Sequence, residues 1–448
     1  MKNLLLTLTM IIALIAIVFL TACSGGTSST TTTTATAPTT TATQTSTTAP
    51  PTSTTAAAKP FTVNLGGTFA LTGAYAEDVA ACLKGYQDYA KWVNANHLLA
   101  PWYKNVPIPA NWTININWAD DQLAADKALT IYDQQKSSGM LVERVSGSPE
   151  GLALKQRFAD DNMGATSQAA GPWALSASQN IFPNYPVYTD SLAAVADWFL
   201  STWKDTTKKP RVAYLTANSA LGKGMDTPEM KAYLLSAGFD WVGTQYVDQV
   251  PTAPPTTALA WLKDNNVNLA IGVMINPGSQ ATIKEAVRLG MGTDQPYKIA
   301  FGFATPSHLQ QFAPPMGQTG NGVLVGGGYA PWEATVDGIT FAKDLINTYE
   351  GGTMPAPLYM GGIIEGITQL DAIRLASLQK PVEQLTCADV LKNGFYQIKD
   401  LNVGGLTPNL TYGPSYVQGV GEVVVEQDQN GKVVVLGSYP LHNLFAKQ

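Results

Sequence analysis

Residues 61–76 read FTVNLGGTFALTGAYA, and this stretch decides the fold. The segment Thr62–Phe69 is rich in β-branched and apolar residues, which predicts a strand. After a short turn the pattern changes to one typical of a long helix, Glu77–Asn96. A strand that leads directly into a helix is the repeating unit of a parallel sheet covered by helices.

The same unit recurs along most of the chain. Further strands are predicted at Thr113–Trp118, Met140–Val145, Ala165–Ala169, Arg211–Thr216, Trp241–Val247, Asn268–Met274, Lys298–Phe301 and Gly322–Val325. Helical patterns lie between most of them, at Leu123–Lys136, Glu150–Asn162, Ser191–Lys204, Glu229–Ala237 and Ser279–Leu289, and two more follow at Ile339–Glu350 and Tyr359–Leu378. This alternation predicts an α/β protein with doubly wound parallel sheets.

The end of the chain has a different pattern. Two β-rich segments, Gly421–Glu426 and Gly431–Leu436, flank an Asn-Gly pair at Asn430–Gly431. Asn-Gly between two strand-like segments is a strong signal for a tight antiparallel turn. We therefore expect a closing β-hairpin.

The folded part is too long for a single hydrophobic core, so two α/β lobes are expected. Proline-interrupted stretches at Pro183–Pro186 and Tyr329–Pro331 are places where the chain is expected to cross between lobes. The predicted limits are 60–185 plus 332–412 for the first lobe and 186–331 plus 413–448 for the second.

The N-terminus has the organisation of a secretory signal. Lys2 precedes an apolar run from Leu4 to Leu20, and Leu20–Cys23 resembles the lipobox of bacterial lipoproteins. This predicts a signal peptide over residues 1–22 and lipidation of Cys23 after cleavage. The alternative is an uncleaved membrane anchor, because the run is just long enough to span a bilayer. Both interpretations place the rest of the chain outside the cytoplasm.

Residues 23–59 are predicted to form a tether. They consist almost wholly of Ser, Thr, Ala, Pro and Gly, which cannot bury enough apolar surface to offset the entropy of ordering. A flexible coil of about 35 residues has a root-mean-square reach of ~30 Å. Threonine-rich stalks can carry sugars, and the sequence leaves this open.

Composition excludes several classes of function. Of the 448 residues, 13% are charged and the formal net charge is −6, which leaves no basic footprint for nucleic acid. The chain has three His and three Cys, too few to assemble a Cys/His zinc site readily. Cys82 and Cys387 could form a disulfide outside the cytoplasm, but two free thiols are the expected outcome.

Motifs that would indicate an enzyme are incomplete. The segment Ala217–Gly224 is close to a phosphate-binding loop, yet its first glycine and its magnesium-binding hydroxyl are missing. His97, His308 and His442 lie far apart in sequence and carry no triad signature. Catalysis is not supported, and neither a cofactor nor a metal is expected.

Several short motifs occur in a characteristic order between residues 60 and 445. They are Gly66–Ala76, Trp118–Gln122, Ser146–Ser148, Ser167–Pro172, Arg211–Thr216, Leu221–Gly224, Glu285–Gly290 and Gly322–Val325. In order and spacing they resemble type I periplasmic binding proteins of the leucine/isoleucine/valine-binding family. The resemblance implies two lobes joined by three crossovers, a small solute captured between them, and delivery to the permease of an ATP-driven (ABC) importer by a monomeric protein.

The resemblance also implies which residues contact the solute. In the first lobe these are Tyr75, Ser146, Ser148, the backbone of Ala170 and Gly171, and Trp173. In the second lobe and the crossover that follows they are Leu221, Asn276, Phe303 and Trp332. Ser148-Pro149-Glu150 is a good helix start, so Ser148 is interpreted as an N-cap, as a ligand contact, or as both.

The chain departs from the family at positions that bear on the solute. Amino-acid binders of the family have an acid after the strand predicted here at Lys298–Phe301, whereas this chain has Gly302–Thr305. The stretch His97–Asn111 is longer than the usual turn. A zwitterionic amino acid would lose its cation partner, so we expect a neutral or anionic solute with an aromatic or amide part.

Two other classes of function are considered. A sensory module that reports a ligand to a membrane partner would have the same fold but no permease. An extracellular hydrolase on this scaffold would need a nucleophile and a base, and no such constellation is visible in the sequence.

Overall fold

The computed structural model describes residues 59–73, 75–168, 171–175, 180–305 and 308–445. The predicted signal peptide, Cys23, nearly all of the tether, and Ala170 lie outside these ranges. Within the described ranges, every helix is too short or too polar to cross a membrane.

Strands occupy the positions expected from the sequence, with a few additions. In the described residues they are β1 (Phe61–Phe69), β2 (Trp112–Asp120), β3 (Val142–Val145), β4 (Gly164–Ser167), β5 (Ile181–Pro183), β6 (Arg211–Ala217), β7 (Asp240–Val247), β8 (Leu269–Gly272), β9 (Ala300–Phe303), β10 (Leu324–Gly326), β11 (Thr411–Gly413), β12 (Tyr416–Gly419), β13 (Glu422–Asp428) and β14 (Val433–Pro440).

Helices alternate with most of the strands. In the described residues they are α1 (Ala76–Asn96), α2 (Ala125–Ser137), α3 (Ser148–Asp161), α4 (Tyr188–Thr202), α5 (Ala220–Lys223), α6 (Pro228–Ala237), α7 (Thr256–Asp264), α8 (Asn276–Arg288), α9 (His308–Met316), α10 (Asp337–Tyr349), α11 (Leu358–Ser377) and α12 (Cys387–Asn393). The helices α5, α7, α9 and α12 and the strands β5, β11 and β12 were not predicted.

The first lobe contains the parallel pair β1–β2 and the parallel sheet β3–β4–β5. The strand β1 runs close beside β2 at Gly66 and close beside β3 at Gly67, and both glycines have φ of 142°. A Cβ on Gly67 would lie 2.4 Å from the backbone nitrogen of Arg144. Only glycine permits both this approach and this backbone conformation.

Helices α1 and α11 form the centre of the first-lobe core. A Cβ on Gly85 would lie 2.1 Å from the carbonyl oxygen of Tyr359, and one on Gly362 would lie 2.0 Å from that of Cys82. The two helices therefore pack at backbone distance. Nearly all of α11 is buried, which agrees with its apolar character around the whole helix.

The second lobe contains a seven-stranded sheet of order β14-β13-β10-β9-β8-β6-β7. The five strands from β10 to β7 are parallel, and the hairpin β13–β14 joins antiparallel at β10. Asn430 and Gly431 form the hairpin turn with φ of 58° and 88°. The predicted hairpin and the predicted doubly wound α/β class are both confirmed.

Apolar clusters cover both faces of this sheet. On one face, Val195 of α4 packs with Val212 and Ile271. On the other, Leu259 of α7 packs with Ile283 of α8 and Phe312 of α9. Helices on both faces are what the strand–helix alternation predicts.

The chain passes between the two sheet systems three times, namely between β5 and α4, between β10 and α10, and between β12 and β13. The Tyr185 hydroxyl donates to the Gly326 carbonyl at 3.1 Å and so joins the first crossing to the second. The Tyr412 hydroxyl donates to the Pro183 carbonyl at 2.9 Å. The first crossing is therefore bonded to the second, and β11 is bonded to the end of β5 where the first crossing begins.

The long turn His97–Asn111 is fixed against the first lobe. The Trp102 indole donates to the Asn402 carbonyl at 2.9 Å, and the Asn402 backbone N–H donates to the Tyr103 hydroxyl at 2.7 Å. Trp102 also packs edge-on against Phe341 of α10. This turn serves packing of the first lobe.

Candidate ligand-binding cleft

A cleft lies where the carboxyl ends of strands from both lobes meet. In open α/β sheets this is the edge at which ligands bind. Residues from the first lobe that line it are Ala70, Tyr75, Asp78, Val79, Leu123, Ser146, Gly147, Ser148, Pro149, Gln168 and Leu358. Residues that follow the first crossing are Tyr188, Ser219, Ala220, Leu221, Gln249, Ile275, Asn276, Thr305 and Gln311.

The N-terminus of α3 opens into the cleft. Gly147 is the N-cap, so the prediction that Ser148 caps the helix is wrong. Ser148 is instead the first helical residue, and its buried hydroxyl has no hydrogen-bond partner among the described atoms. Free backbone N–H groups and a free hydroxyl at a helix N-terminus suit a carbonyl or carboxylate oxygen.

The loops beside α3 are held by side chains that follow β2 and β3. The Ser146 hydroxyl accepts from the Ala70 backbone N–H at 2.8 Å. Asp120 accepts from the backbone N–H groups of Leu71 and Gln122, each at 2.9 Å. Ser146 therefore fixes the loop after β1 in addition to lining the cleft.

Two carboxyl groups lie behind the N-terminus of α3. Burial, and after it the nearby charge of Asp121, raises the pKa of Glu150 to about 7. Burial also raises the pKa of Asp121. Both shifts favour the protonated carboxyl, so these groups oppose an anion at the helix N-terminus less than two carboxyls of ordinary pKa would.

Gln168, which lines the cleft, is part of a buried polar network. The Gln168 amide donates to the Cys82 sulfur at 2.8 Å and accepts from Arg144 Nη2 at 3.3 Å. Arg144 also donates to Glu365 at 2.7 Å and to the Thr68 carbonyl at 2.7 Å. Gln168 is therefore fixed by groups from β3, α1 and α11.

A chain of hydrogen bonds spans the cleft. Asn276, the first residue of α8, donates from Nδ2 to Oε1 of Gln311 on α9 at 2.7 Å. The other end of the Gln311 amide donates to Oδ1 of Asp78 on α1. Because Asp78 belongs to the first lobe and Gln311 to the second, the structure has the two lobes joined across the site.

Asp78 is the charged side chain in this cleft. Burial raises its pKa to about 6, and the hydrogen bond from Gln311 acts in the opposite direction. Sequence reasoning missed it. The available signal was the acidic first turn of α1, Glu77-Asp78, but only the rotation of the helix decides which of the two faces the cleft.

Two tyrosines stand beside Asp78. Tyr75 directly precedes α1 and packs against the apolar clusters of both lobes. Burial, followed by the proximity of Tyr188 and Asp78, raises the pKa of Tyr75 well above its ordinary value. Burial also raises the pKa of Tyr188. Both hydroxyls are therefore uncharged at physiological pH.

Most of the chain, residues 62–405, matches the family described as periplasmic binding protein. This chain belongs to the periplasmic binding protein family. The predicted resemblance is confirmed, and the family is one of binding proteins rather than enzymes. No curated protein is similar enough to the chain to count as a match.

Solved structures of periplasmic binding proteins share the fold. A branched chain amino acid ABC transporter protein from Thermus thermophilus with bound valine has a TM-score of 0.73 at 17% identity, over 87% of this chain and 98% of that one. A fatty acid ABC transporter substrate-binding protein from Thermomonospora curvata has a TM-score of 0.69 at 17% identity, over 86% and 95%.

A third structure is the solute binding protein of an ABC transporter from Rhodopseudomonas palustris BisB5 in complex with 3,4-dihydroxy benzoic acid. Its TM-score is 0.65 at 14% identity, over 85% of this chain and 98% of that one. At these identities the likeness establishes the fold of this binding protein.

The structure brings together half of the residues singled out from the sequence. Tyr75, Ser146, Ser148, Leu221 and Asn276 all line the cleft. Among the other lining residues, which were missed, are the polar side chains of Asp78, Gln168, Tyr188, Ser219, Gln249, Thr305 and Gln311. Ala170 lies outside the described residues, so its position stays a prediction.

The other singled-out residues lie elsewhere. Trp173 is buried in a core behind α3, where a Cβ on Gly151 would lie 2.2 Å from its ring, and Gly171 faces the same indole. Phe303 is 1% exposed in the apolar cluster of the second lobe, because β9 runs two residues further than predicted. Trp332 packs, half-buried, against the first-lobe core.

The structure also shows the state of two cysteines and the arrangement of potential metal ligands. Cys82 and Cys387 are free thiols, as expected. Among the described residues, no group of three or more His, Cys, Asp or Glu side chains is arranged to hold a metal ion.

Proposed function

We propose that this protein is the extracytoplasmic substrate-binding component of an ABC importer and captures a small organic solute between its two lobes. The observation that carries the proposal is the cleft itself. It lies at the carboxyl ends of strands from both lobes, and the chain Asp78–Gln311–Asn276 closes it from one side to the other.

The proposed solute contacts are residues that line the cleft, both those predicted from the sequence and their apolar neighbours. The Ser148 hydroxyl and the backbone N–H groups at the start of α3 offer donors for an oxygen of the solute. Val79, Leu221 and Ile275 offer apolar surface for its hydrocarbon part. A few placed polar groups within a mostly apolar concave surface are typical of small-molecule sites.

The ligands named for similar structures are valine, fatty acid and 3,4-dihydroxy benzoic acid, all small organic molecules. This diversity supports the general class of solute without choosing among its members. The expectation of a neutral or anionic solute rested on a missing acid after β9. Asp78 supplies an acid from the opposite lobe, so that expectation loses its basis.

We further propose that capture proceeds by hinge closure of lobes with the limits 60–185 plus 332–412 and 186–331 plus 413–448. Hinge motions of this kind concentrate the backbone change in a few residues at the crossings. No chemical step on the solute is required. The closed form then presents both lobes to the permease.

The proposal includes an anchor at the N-terminus. Cleavage after residue 22 would leave Cys23 as the lipidated first residue, and residues 24–59 would tether the folded part to the outer face of the cell membrane. Replacing Cys23 with Ser is expected to move the protein from the membrane fraction to the soluble fraction. Retention of the C23S protein in the membrane would support an uncleaved anchor instead.

Thermal unfolding tests the receptor function directly. The lipidated chain in detergent is heated with amino acids, amines, amides, aromatic acids and short fatty acids. A solute at about 100 times its Kd stabilises a protein that binds it only when folded by ~2.7 kcal/mol, which is readily visible as a higher Tm. If no compound raises the Tm and none binds in equilibrium dialysis, the solute-receptor function is contradicted.

A further inference from the structure

The charge of the cleft is confined to one place. Among the side chains that the structure describes, the lining includes no Lys, Arg or His, and Asp78 is its one acid. The remaining polar groups are hydroxyls and amides such as Ser148, Gln249 and Thr305. A bound anion would meet no cationic side chain here, whereas a bound cation would meet a carboxylate.

The Asp78 carboxylate is held in place by a hydrogen bond and can accept one more. Its Oδ1 already accepts from Gln311, and Gln311 is held in turn by Asn276 at 2.7 Å. This amide relay fixes the carboxylate in orientation without neutralising it. Oδ2 has no hydrogen-bond donor from the described side chains, and the residue is half-buried at the cleft wall.

The aromatic neighbours suit the same chemistry. Tyr75 and Tyr188 line the cleft together with Asp78, and Tyr75 lies near both Tyr188 and Asp78. Ring faces attract ammonium groups, and this attraction is stronger where water is excluded. A carboxylate with tyrosine rings beside it favours a protonated nitrogen over a carboxylate as its partner.

We propose that Asp78, with Gln311 completing its hydrogen bonds from the opposite lobe, receives a protonated nitrogen of the solute. The preferred solutes are therefore small organic amines, with or without a carboxylate, rather than simple organic acids. This inference rests on the proposed receptor function. It also ties recognition to closure, because the two side chains belong to different lobes.

The opposite end of the cleft sets the second requirement. The unpartnered Ser148 hydroxyl and the backbone N–H groups at the start of α3 donate hydrogen bonds to an oxygen of the solute, and Val79, Leu221 and Ile275 add apolar lining. Pro149 has no backbone N–H, so Ser148 itself carries much of this contact. An amine with an apolar middle and an oxygen at its far end satisfies all three surfaces.

The test uses compounds that differ by one charged group. Valine, isobutylamine and 3-methylbutanoate share a branched skeleton. Valine carries both an amine and a carboxylate, isobutylamine carries only the amine, and 3-methylbutanoate carries only the carboxylate. Parallel sets on unbranched and benzyl skeletons cover the range of sizes. Binding to the full chain is measured by calorimetry at pH 7.5, and we expect the tightest compound of every responding set to carry the amine.

Two variants assign the effect to Asp78. D78N keeps the shape and can still accept from Gln311 but loses the charge, and we expect a roughly 30-fold or greater loss of amine affinity, as for removal of one partner of a buried charge pair. E77Q alters the neighbouring, exposed acid and is the matched control. We expect E77Q to bind the amine within about twofold of the unaltered protein.

The possible failures are distinguishable. If the carboxylates bind best and D78N leaves their affinity unchanged, the assignment of Asp78 is overturned while the receptor function stands. If no compound of any class binds, the receptor function itself is contradicted. Folding of D78N is checked by its Tm, which should not fall, because the substitution removes a buried charge.

Discussion

The two lobes are stabilised by different kinds of core. The first lobe contains the ion pair between Arg144 and Glu365, both fully buried, and the amide of Gln369 bonded to the Glu143 carbonyl at 2.7 Å. The second-lobe sheet is covered on both faces by apolar clusters, and its buried acids Asp190 and Asp428 have no buried basic side chain as a partner among the described residues. Among the described residues, Arg144 is the one basic side chain that is buried.

This difference has a consequence for the cleft. A buried network with its donors and acceptors matched permits one arrangement of the chain, at a cost in desolvation, whereas an apolar core tolerates small shifts. In the first lobe the network reaches the cleft through Gln168 and the Thr68 carbonyl. The first-lobe wall is therefore the more rigidly specified of the two.

The largest effect is expected from breaking the buried ion pair. Arg144→Ala leaves Glu365 charged and unpaired, and we expect the free energy of unfolding to fall by about 3–5 kcal/mol in denaturant titrations. The double variant R144M/E365L removes both charges and should recover most of the loss. If the double variant is no more stable than Arg144→Ala, the network does not act through its charges.

The next effect concerns affinity and pH. Burial raises the pKa of Asp78 to about 6, so its carboxyl gains a proton as the pH falls through that value. A cationic solute binds the ionised form, so its affinity should be flat above about pH 7 and fall roughly tenfold per pH unit below 6. Calorimetry from pH 5 to 8 measures this directly.

The control for this pH dependence is D78N. Gln311, Tyr75 and Tyr188 face the region of Asp78, and none of these three groups titrates between pH 5 and 8. The neighbouring Glu77 is exposed. Glu150, whose pKa burial raises to about 7, titrates at the other end of the cleft and contributes to the profile of both proteins. If the pH dependence of the affinity is the same in D78N as in the unaltered protein, that dependence belongs to Glu150 rather than to Asp78.

A smaller effect is expected in the apolar core of the second lobe. Ile271→Val on β8 deletes one buried methylene group, and we expect a loss of about 0.5–1.5 kcal/mol in the free energy of unfolding. Solute affinity should be unchanged, because neighbouring apolar side chains can shift slightly to fill the volume that the methylene group leaves. A large loss of affinity would show that this core is as strictly specified as the first.

The smallest effect is expected at the surface of the first lobe. Arg157 and Asp133 form an ion pair at 3.1 Å with side chains about half exposed, 50% and 52%. We expect Asp133→Asn to change the free energy of unfolding by no more than about 0.5 kcal/mol. A loss approaching that of Arg144→Ala would mean that burial does not account for the difference between these two first-lobe pairs.

The sequence allowed the fold to be predicted because its signals are local. The strand and helix that begin at Phe61, and the turn at Asn430–Gly431, are set by short-range periodicity and turn chemistry. The resemblance to the family then ordered the lobes. Local periodicity and family motifs can both be recognised without knowing which distant residues are in contact.

The site was predicted only in part because its decisive contacts are distant. Arg144 meets Glu365 across 221 positions, and Asp78 meets Gln311 across 233. Helix α9, which carries Gln311, contains Pro314 and Pro315, and prolines inside a segment argue against a helix when only the sequence is read. A shift of two residues in β9 was enough to move Phe303 from an expected loop into the core.

The closing hairpin has a consequence for the order in which the chain is made. The edge of β10 is paired by β13, which is synthesised after all five parallel strands. Until then, five parallel strands present an open edge to other nascent chains. A chain truncated before Glu422 would keep that edge permanently, so we expect such fragments to aggregate rather than to persist as half-built receptors.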